Sequence, residues 1–194
     1  MKKFELTSEF ITNIFGTKLF RIKALIEFGN VKAGELGGFV EKEENLSQDG
    51  NAWVCGNAWV YDNARVYGDA CVCGDARVYG DACVCGNAWV YDNARVYGDA
   101  CVCGDARVYG DVCVCGDARV CGDAGYATVH GFGSEYRTTT FFKTKAGDIG
   151  VKCGCFYGNL SEFRKKVVET HGETKKAKEY LMLADLMEFR LTHK

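Results

Sequence analysis

No stretch of the 194-residue chain stays apolar long enough to span a membrane. Its first ten residues, Met1 to Phe10, hold no apolar secretory core. Proline is absent and histidine occurs three times. Cysteine fills twelve positions, about 6% of the chain, which is below the usual level of a short disulfide scaffold. There is no P-loop, dinucleotide fingerprint or Ser-His-Asp arrangement; Gly34–Gly38 is glycine-rich but lacks the strand–turn–helix setting. Apolar residues make up 47% and charged residues 26%, an ordinary globular composition and not a disordered one. Together these point to a cytoplasmic protein with reduced thiols and no cofactor.

What the chain has is a repeat. Valine recurs at every sixth position from Val54 to Val120, and alanine likewise from Ala52 to Ala124, with Val112 filling the one gap. The unit reads Ala-x-Val-x-Gly/Asp-Asp/Asn. Alanine and valine two apart share one face of a strand, and the x positions face the other way. Gly-Asp, Gly-Asn and Asp-Asn are turn pairs, so each hexad predicts a short strand and a corner. This pattern resembles the hexapeptide-repeat proteins, the left-handed parallel β-helices, in which three hexads make one triangular coil. The resemblance covers residues 36–130 and implies a stack about 20 Å tall whose two ends need caps.

Three parts follow: an N-terminal cap over 1–35, the β-helix over 36–130, and a small α+β segment over 131–194. Runs on either side of Phe15-Gly16-Thr17 predict a hairpin, and Phe28–Val40 with Asn45–Gln48 an irregular first coil. In the third part, two strands flank Ala146-Gly147. Asn159-Leu-Ser-Glu162 is a capping box for a helix that ends at His171-Gly172. A second helix starts near Thr174, with Ala177, Tyr180, Leu181, Ala184 and Leu191 on one stripe. The entry segment resembles that of bacterial hexapeptide proteins labelled acetyltransferase-like. It also resembles, as does Thr138–Tyr180, small repeat proteins of bacterial prophages.

Coils of three hexads sort the outward positions into three faces. The first carries Trp53, Cys55, Cys71, Cys73, Trp89, Tyr91, Arg107 and Tyr109. The second carries Trp59, Tyr61, Arg77, Tyr79, Arg95, Tyr97, Cys113 and Cys115. The third carries Arg65, Tyr67, Cys83, Cys85, Cys101, Cys103, Arg119 and Cys121. On the second face, Trp59, Tyr61, Tyr79 and Tyr97 offer flat rings, and Arg77 and Arg95 forked donors. Such a surface suits a base and a phosphate, or a protein hot spot. Stacked tyrosine and arginine also suit exposed parallel strands with no ligand at all. Cys83, Cys85, Cys101 and Cys103 make a two-by-two square that four-thiolate zinc ligation would need, although a flat strand surface is poorly shaped for a tetrahedron. Stacked cysteines on neighbouring parallel strands are poor disulfide formers. The Asp/Asn corners, including Asn57, Asp75, Asn93 and Asp111, are turn formers rather than calcium ligands.

Residues 57–86 and 87–116 differ only at Ala82 versus Val112. The duplicated unit is five hexads, which is no whole number of coils, so each copied residue lands on a different face. A face tuned residue by residue should not survive that shift, which places specific chemistry at the ends or on one face formed later. Charge divides as well. Residues 51–124 hold 5 basic and 10 acidic side chains, and 125–194 hold 12 and 8. An acidic stack is no site for extended nucleic acid.

The expected function is that of a non-catalytic solenoid acting stoichiometrically on a host protein or a nucleotide-type ligand. The prophage resemblance implies a phage-encoded counter-defence inhibitor or sequestering protein. Apolar faces rich in tyrosine, tryptophan and cysteine favour a homo-oligomer or a protein partner, and also admit a self-assembling rod. The alternative is an acyl-CoA-dependent acyltransferase, since the resembling enzymes use a histidine at a subunit boundary. His130 is then the candidate general base. His171 is expected to cap a helix, and His193 lies outside the hexads. Arg164-Lys165-Lys166 and Lys175-Lys176 with Lys178 read as solvated helix faces, with an anion site as the sharper alternative.

Overall fold

The computed structural model describes residues 2–132, 135 and 137–192. Two strands, β1 (Phe4–Thr12) and β2 (Lys18–Ala24), form an antiparallel hairpin. The Asn13 side chain closes its turn by accepting from the N–H groups of Phe15 and Thr17, each at 2.9 Å. Strand β3 (Leu36–Val40) pairs antiparallel with β2 and parallel with the strand at Trp59. It therefore turns the hairpin into the first layer of the stack. Glycine is required here: a Cβ on Gly38 would stand 2.7 Å from the Ala58 carbonyl oxygen.

Among the described residues, twelve short strands, β4–β15, follow from Trp53–Val54 to Arg119–Cys121. They stack as three parallel ladders, with each residue opposite its counterpart three hexads on. With β3 and the Leu46–Val66 bridge, the solenoid makes about five turns. The sequence-derived faces are the three ladders, without slippage. Every valine from Val54 to Val120 in the series is fully buried, and the alanines from Ala52 to Ala118 are at most 1% exposed. Small and branched residues alone fit so narrow an interior.

The series ends earlier than its sequence pattern does. Ala124 is exposed. The chain leaves the coil at Gly122, whose φ is +99°, and a 3₁₀ turn at Asp123–Gly125 redirects it. The corners explain the rest of the hexad. Asp62 and Asp92 stand where the other corners have glycine, both at φ +58°, a conformation that aspartate tolerates. Beside the corners, asparagine amides donate to the aspartates one coil on, as in Asn51 to Asp69 (2.8 Å) and Asn87 to Asp105 (2.9 Å).

A solenoid end leaves backbone groups without a neighbouring coil. At the first end, backbone N–H groups of Phe39 and Glu41 serve the Ala58 and Val60 carbonyls. On the other two faces, side chains join in, beside a backbone bond from the Ser47 N–H to the Val66 carbonyl. The Lys3 ammonium donates to the Gly50 and Ala52 carbonyls at 3.3 and 2.9 Å, and the Asn45 amide to those of Asp62 and Ala64 at 3.1 and 2.8 Å. Phe4, Ile22 and Ala24 cover the apolar interior.

The other end is closed by an antiparallel sheet of β16 (Tyr126–Val129), β17 (Thr139–Lys143), β18 (Ile149–Cys153) and β19 (Phe156–Asn159). The sequence predicts only β17 and β18. Tyr126–Val129 follows the repeat with no turn signal of its own, and Phe156–Asn159 runs straight into a helix. That helix, α1 (Leu160–His171), begins on the Asn159–Glu162 capping box, and α2 (Lys175–Thr192) follows. Ala177, Tyr180, Ala184, Met187 and Leu191 of α2 are buried, and Leu181 is half-buried. Phe142 plugs the solenoid, while Phe141 packs under the helices. No helix among the described residues is long and apolar enough to cross a membrane.

Candidate functional site

The second face brings all six of its candidate residues together in two columns. Trp59, Arg77 and Arg95 occupy successive register positions. The Arg77 guanidinium lies 4.3 Å over the Trp59 ring, a cation–π contact. Beside them, Tyr61, Tyr79 and Tyr97 stack with centroids 5.0 Å apart and planes tilted by 6° and 5°. Strand spacing sets that separation, so the rings stack because the coils do. Burial raises the phenol pKa of all three, that of Tyr61 to about 12 from the usual 10.0. They remain neutral hydroxyls through the physiological range.

The columns extend into the hairpin, where sequence reasoning missed them. Arg21 sits 4.6 Å over Phe39, which is in register with Trp59. Its Nε pairs with Glu9 at 2.9 Å and its Nη1 donates to the Gly37 carbonyl at 2.7 Å. Leu19, Phe39 and Tyr61 are buried together, with Ile11, Trp59 and Tyr79 against them. Along the chain, Phe39 precedes Trp59 by more than one coil of three hexads, because a 3₁₀ turn at Glu43–Asn45 interrupts the count. That interruption hides it from a hexad search.

The duplication carries the cluster to the neighbouring face. Trp89, Tyr91, Arg107 and Tyr109 are the copies of Trp59, Tyr61, Arg77 and Tyr79. Trp89 is in register with Arg107, and Tyr91 stacks on Tyr109 at 5.2 Å and 14°. The expectation that a face tuned residue by residue should not survive the five-hexad shift fails for part of the cluster only. The part from Trp59 to Tyr79 fits inside one duplicated segment and moves as a block, whereas Arg95 and Tyr97 have no copies, Gly125 and Ala127 standing at the corresponding positions. The copied part meets Met187 and Arg190 of α2 across a cleft of about 560 Å³.

The cysteine square does not form as a set. Cys103 is joined to Cys121 by a disulfide, so the expectation that stacked cysteines stay reduced fails at this pair. Their Cα atoms are 4.7 Å apart, within disulfide reach, since the strand spacing itself supplies a suitable span. Cys83, Cys85 and Cys101 remain close, and a second trio, Cys55, Cys71 and Cys73, gathers on the first face. Hydrogen bonds from Cys55 and Cys71 push the Cys73 thiol pKa down.

His130 is exposed beyond β16, with Nδ1 3.2 Å from the Thr138 hydroxyl. His171 closes α1 before Gly172 and stacks on Tyr180 at 5.8 Å. His193 lies outside the described residues. Arg164 is bound to Asp185 and Glu188, both at 2.7 Å, and these partners raise its pKa, so it ties α1 to α2.

A family model described as YdcK Beta solenoid repeat matches residues 58–74 and 88–104. The two matches fall at the same place in each copy of the duplicated segment. The chain is a repeat β-solenoid protein. No curated protein matches it.

Proposed function

We propose that this solenoid is a non-catalytic interaction protein that binds its partner stoichiometrically through the second face. We read the coil as a hexapeptide-type repeat from a prophage, and the role as inhibition of a host protein or capture of a nucleotide-type ligand. The observation that carries this reading is the paired column of Arg77 and Arg95 beside stacked Tyr61, Tyr79 and Tyr97. The rings are held by the backbone repeat, so binding costs little side-chain ordering. Two in-register guanidinium groups repel each other, and an anionic or carbonyl-rich planar partner relieves that repulsion.

Self-association fits a different surface. Met182, Leu186 and Phe189 of α2 lie at i, i+4 and i+7 and are 71%, 55% and 65% exposed. An apolar stripe of this kind favours a second copy of the chain.

The test is binding of host extract and of a nucleotide panel to the wild type and to the Arg77→Ala/Arg95→Ala variant. Saturable binding at fixed stoichiometry, lost in the variant, supports the reading. Turnover of an acyl-CoA that disappears in His130→Ala contradicts it.

A further inference from the structure

We infer that Cys55, Cys71 and Cys73 on the first face, and Cys83, Cys85 and Cys101 on the third, are two sites for a thiophilic, three-coordinate metal ion of the copper(I) class. Neither face contributes to the recognition surface proposed above, so the two readings stand or fall separately.

Both trios have the same construction. A Cys-Val-Cys segment (Cys71–Cys73 or Cys83–Cys85) points two thiols outward from one face, and the adjoining coil adds a third. Cys55 stacks against Cys73, with its N–H donating to the Val72 carbonyl at 2.8 Å. Cys101 is in register with Cys83. Within each trio the sulfurs lie within 4.8 Å of one another. A metal–sulfur bond of about 2.3 Å puts three sulfurs around a trigonal centre about 4 Å apart. Closing that gap needs side-chain rotation alone, because the backbone N–H of each of the six cysteines is already hydrogen-bonded to a carbonyl of the next coil.

Coordination geometry selects the ion. The three sulfurs stand on the outer surface of a flat ladder, which suits planar, trigonal ligation. A structural zinc site takes four protein ligands in a tetrahedron. Among the described residues no histidine, cysteine, aspartate or glutamate completes either trio. Cys103, the fourth corner on the third face, is bonded to Cys121 instead. On the third face the Tyr67 hydroxyl lies 3.3 Å from the Cys83 sulfur as a hydrogen-bond partner, which leaves soft thiolates as the ligating groups, and these favour copper(I).

The surroundings fit the charge. Three thiolates around a monovalent ion carry a net charge of about −2. On the third face, Arg65 and Arg119 occupy the register positions directly before Cys83 and after Cys101. On the first face, Trp53 and Trp89 flank Cys71 in register. All six cysteines are half-buried, accessible to an ion yet sheltered. Binding releases the thiol protons to solvent.

The test is an oxygen-free titration of the full chain with copper(I) against the chromophoric chelator bicinchoninate. The expected result is two copper ions retained per chain, one in Cys73→Ser, one in Cys83→Ser and none in the double variant. Circular dichroism checks that each variant is folded, and Cys55→Ser and Cys101→Ser replace any that is not. Zinc(II) titrated in parallel should be released to its own chelator. Copper passing wholly to bicinchoninate, a stoichiometry untouched by the substitutions, or zinc held in preference at these cysteines would each overturn the assignment.

Discussion

Phe141 and Phe142 are neighbours in one strand and belong to two different cores. Phe142 joins the alanine–valine interior of the solenoid, and Phe141 meets Phe163 edge-on at 5.9 Å beneath the helices. Alternation along a strand makes this possible. Phe142→Ala should cost about 3–5 kcal/mol and expose the last coil. Phe141→Ala should loosen α1 and α2 first. Hydrogen exchange on the two variants checks this: protection should fall in the last coil for one and in the helices for the other.

Corner glycines differ in how much they matter. A Cβ on Gly74 would stand 2.9 Å from the Asp92 backbone nitrogen, whereas one on Gly110 meets nothing within 4 Å. Both have positive φ, so both substitutions carry conformational strain. Gly74→Ala should be the more destabilising of the two, by about 1–2 kcal/mol. Paired urea titrations measure the difference.

Alkaline pH should destabilise the fold. Burial raises the thiol pKa of Cys113 and Cys115 above the usual 9.0 and the phenol pKa of Tyr61 to about 12. The unfolded chain therefore loses these protons first. Their contribution is complete below about pH 9 and declines as pH rises towards the folded values. Lys3 acts in the opposite sense. Burial lowers its pKa from 10.5 to about 8, so across that window the unfolded chain binds the extra proton and stability gains with pH. The urea midpoint should fall above about pH 9, and fall more steeply in Lys3→Met.

The solenoid was almost wholly legible in the sequence, because Ala52 to Val120 repeat without a gap and each hexad states its own inward residues. The caps were less so. Arg21, Phe39 and Lys3 act through partners distant along an irregular stretch of chain, and no period marks them. The six residues on the second face were recognisable once the coil length was set. Their extension into the hairpin was not, since the turn at Glu43–Asn45 breaks the spacing. The Cys103–Cys121 bond also escaped, because the sequence lists thiols in register without saying which pair closes.

Self-association through α2 has a direct check. Leu186→Glu places a charge in the exposed stripe between Met182 and Phe189. The native mass measured by light scattering should drop to that of a single chain. A wild type that is already monomeric would remove the stripe as an interface.

The proposal that the second face is a stoichiometric recognition surface is tested most directly by native mass spectrometry of the protein purified from its producing cells, wild type beside Arg77→Ala/Arg95→Ala. The account predicts an added partner or small-molecule mass on the wild type, at a fixed ratio, that is missing from the folded variant. The same bound mass on both proteins, or none on either, would contradict it.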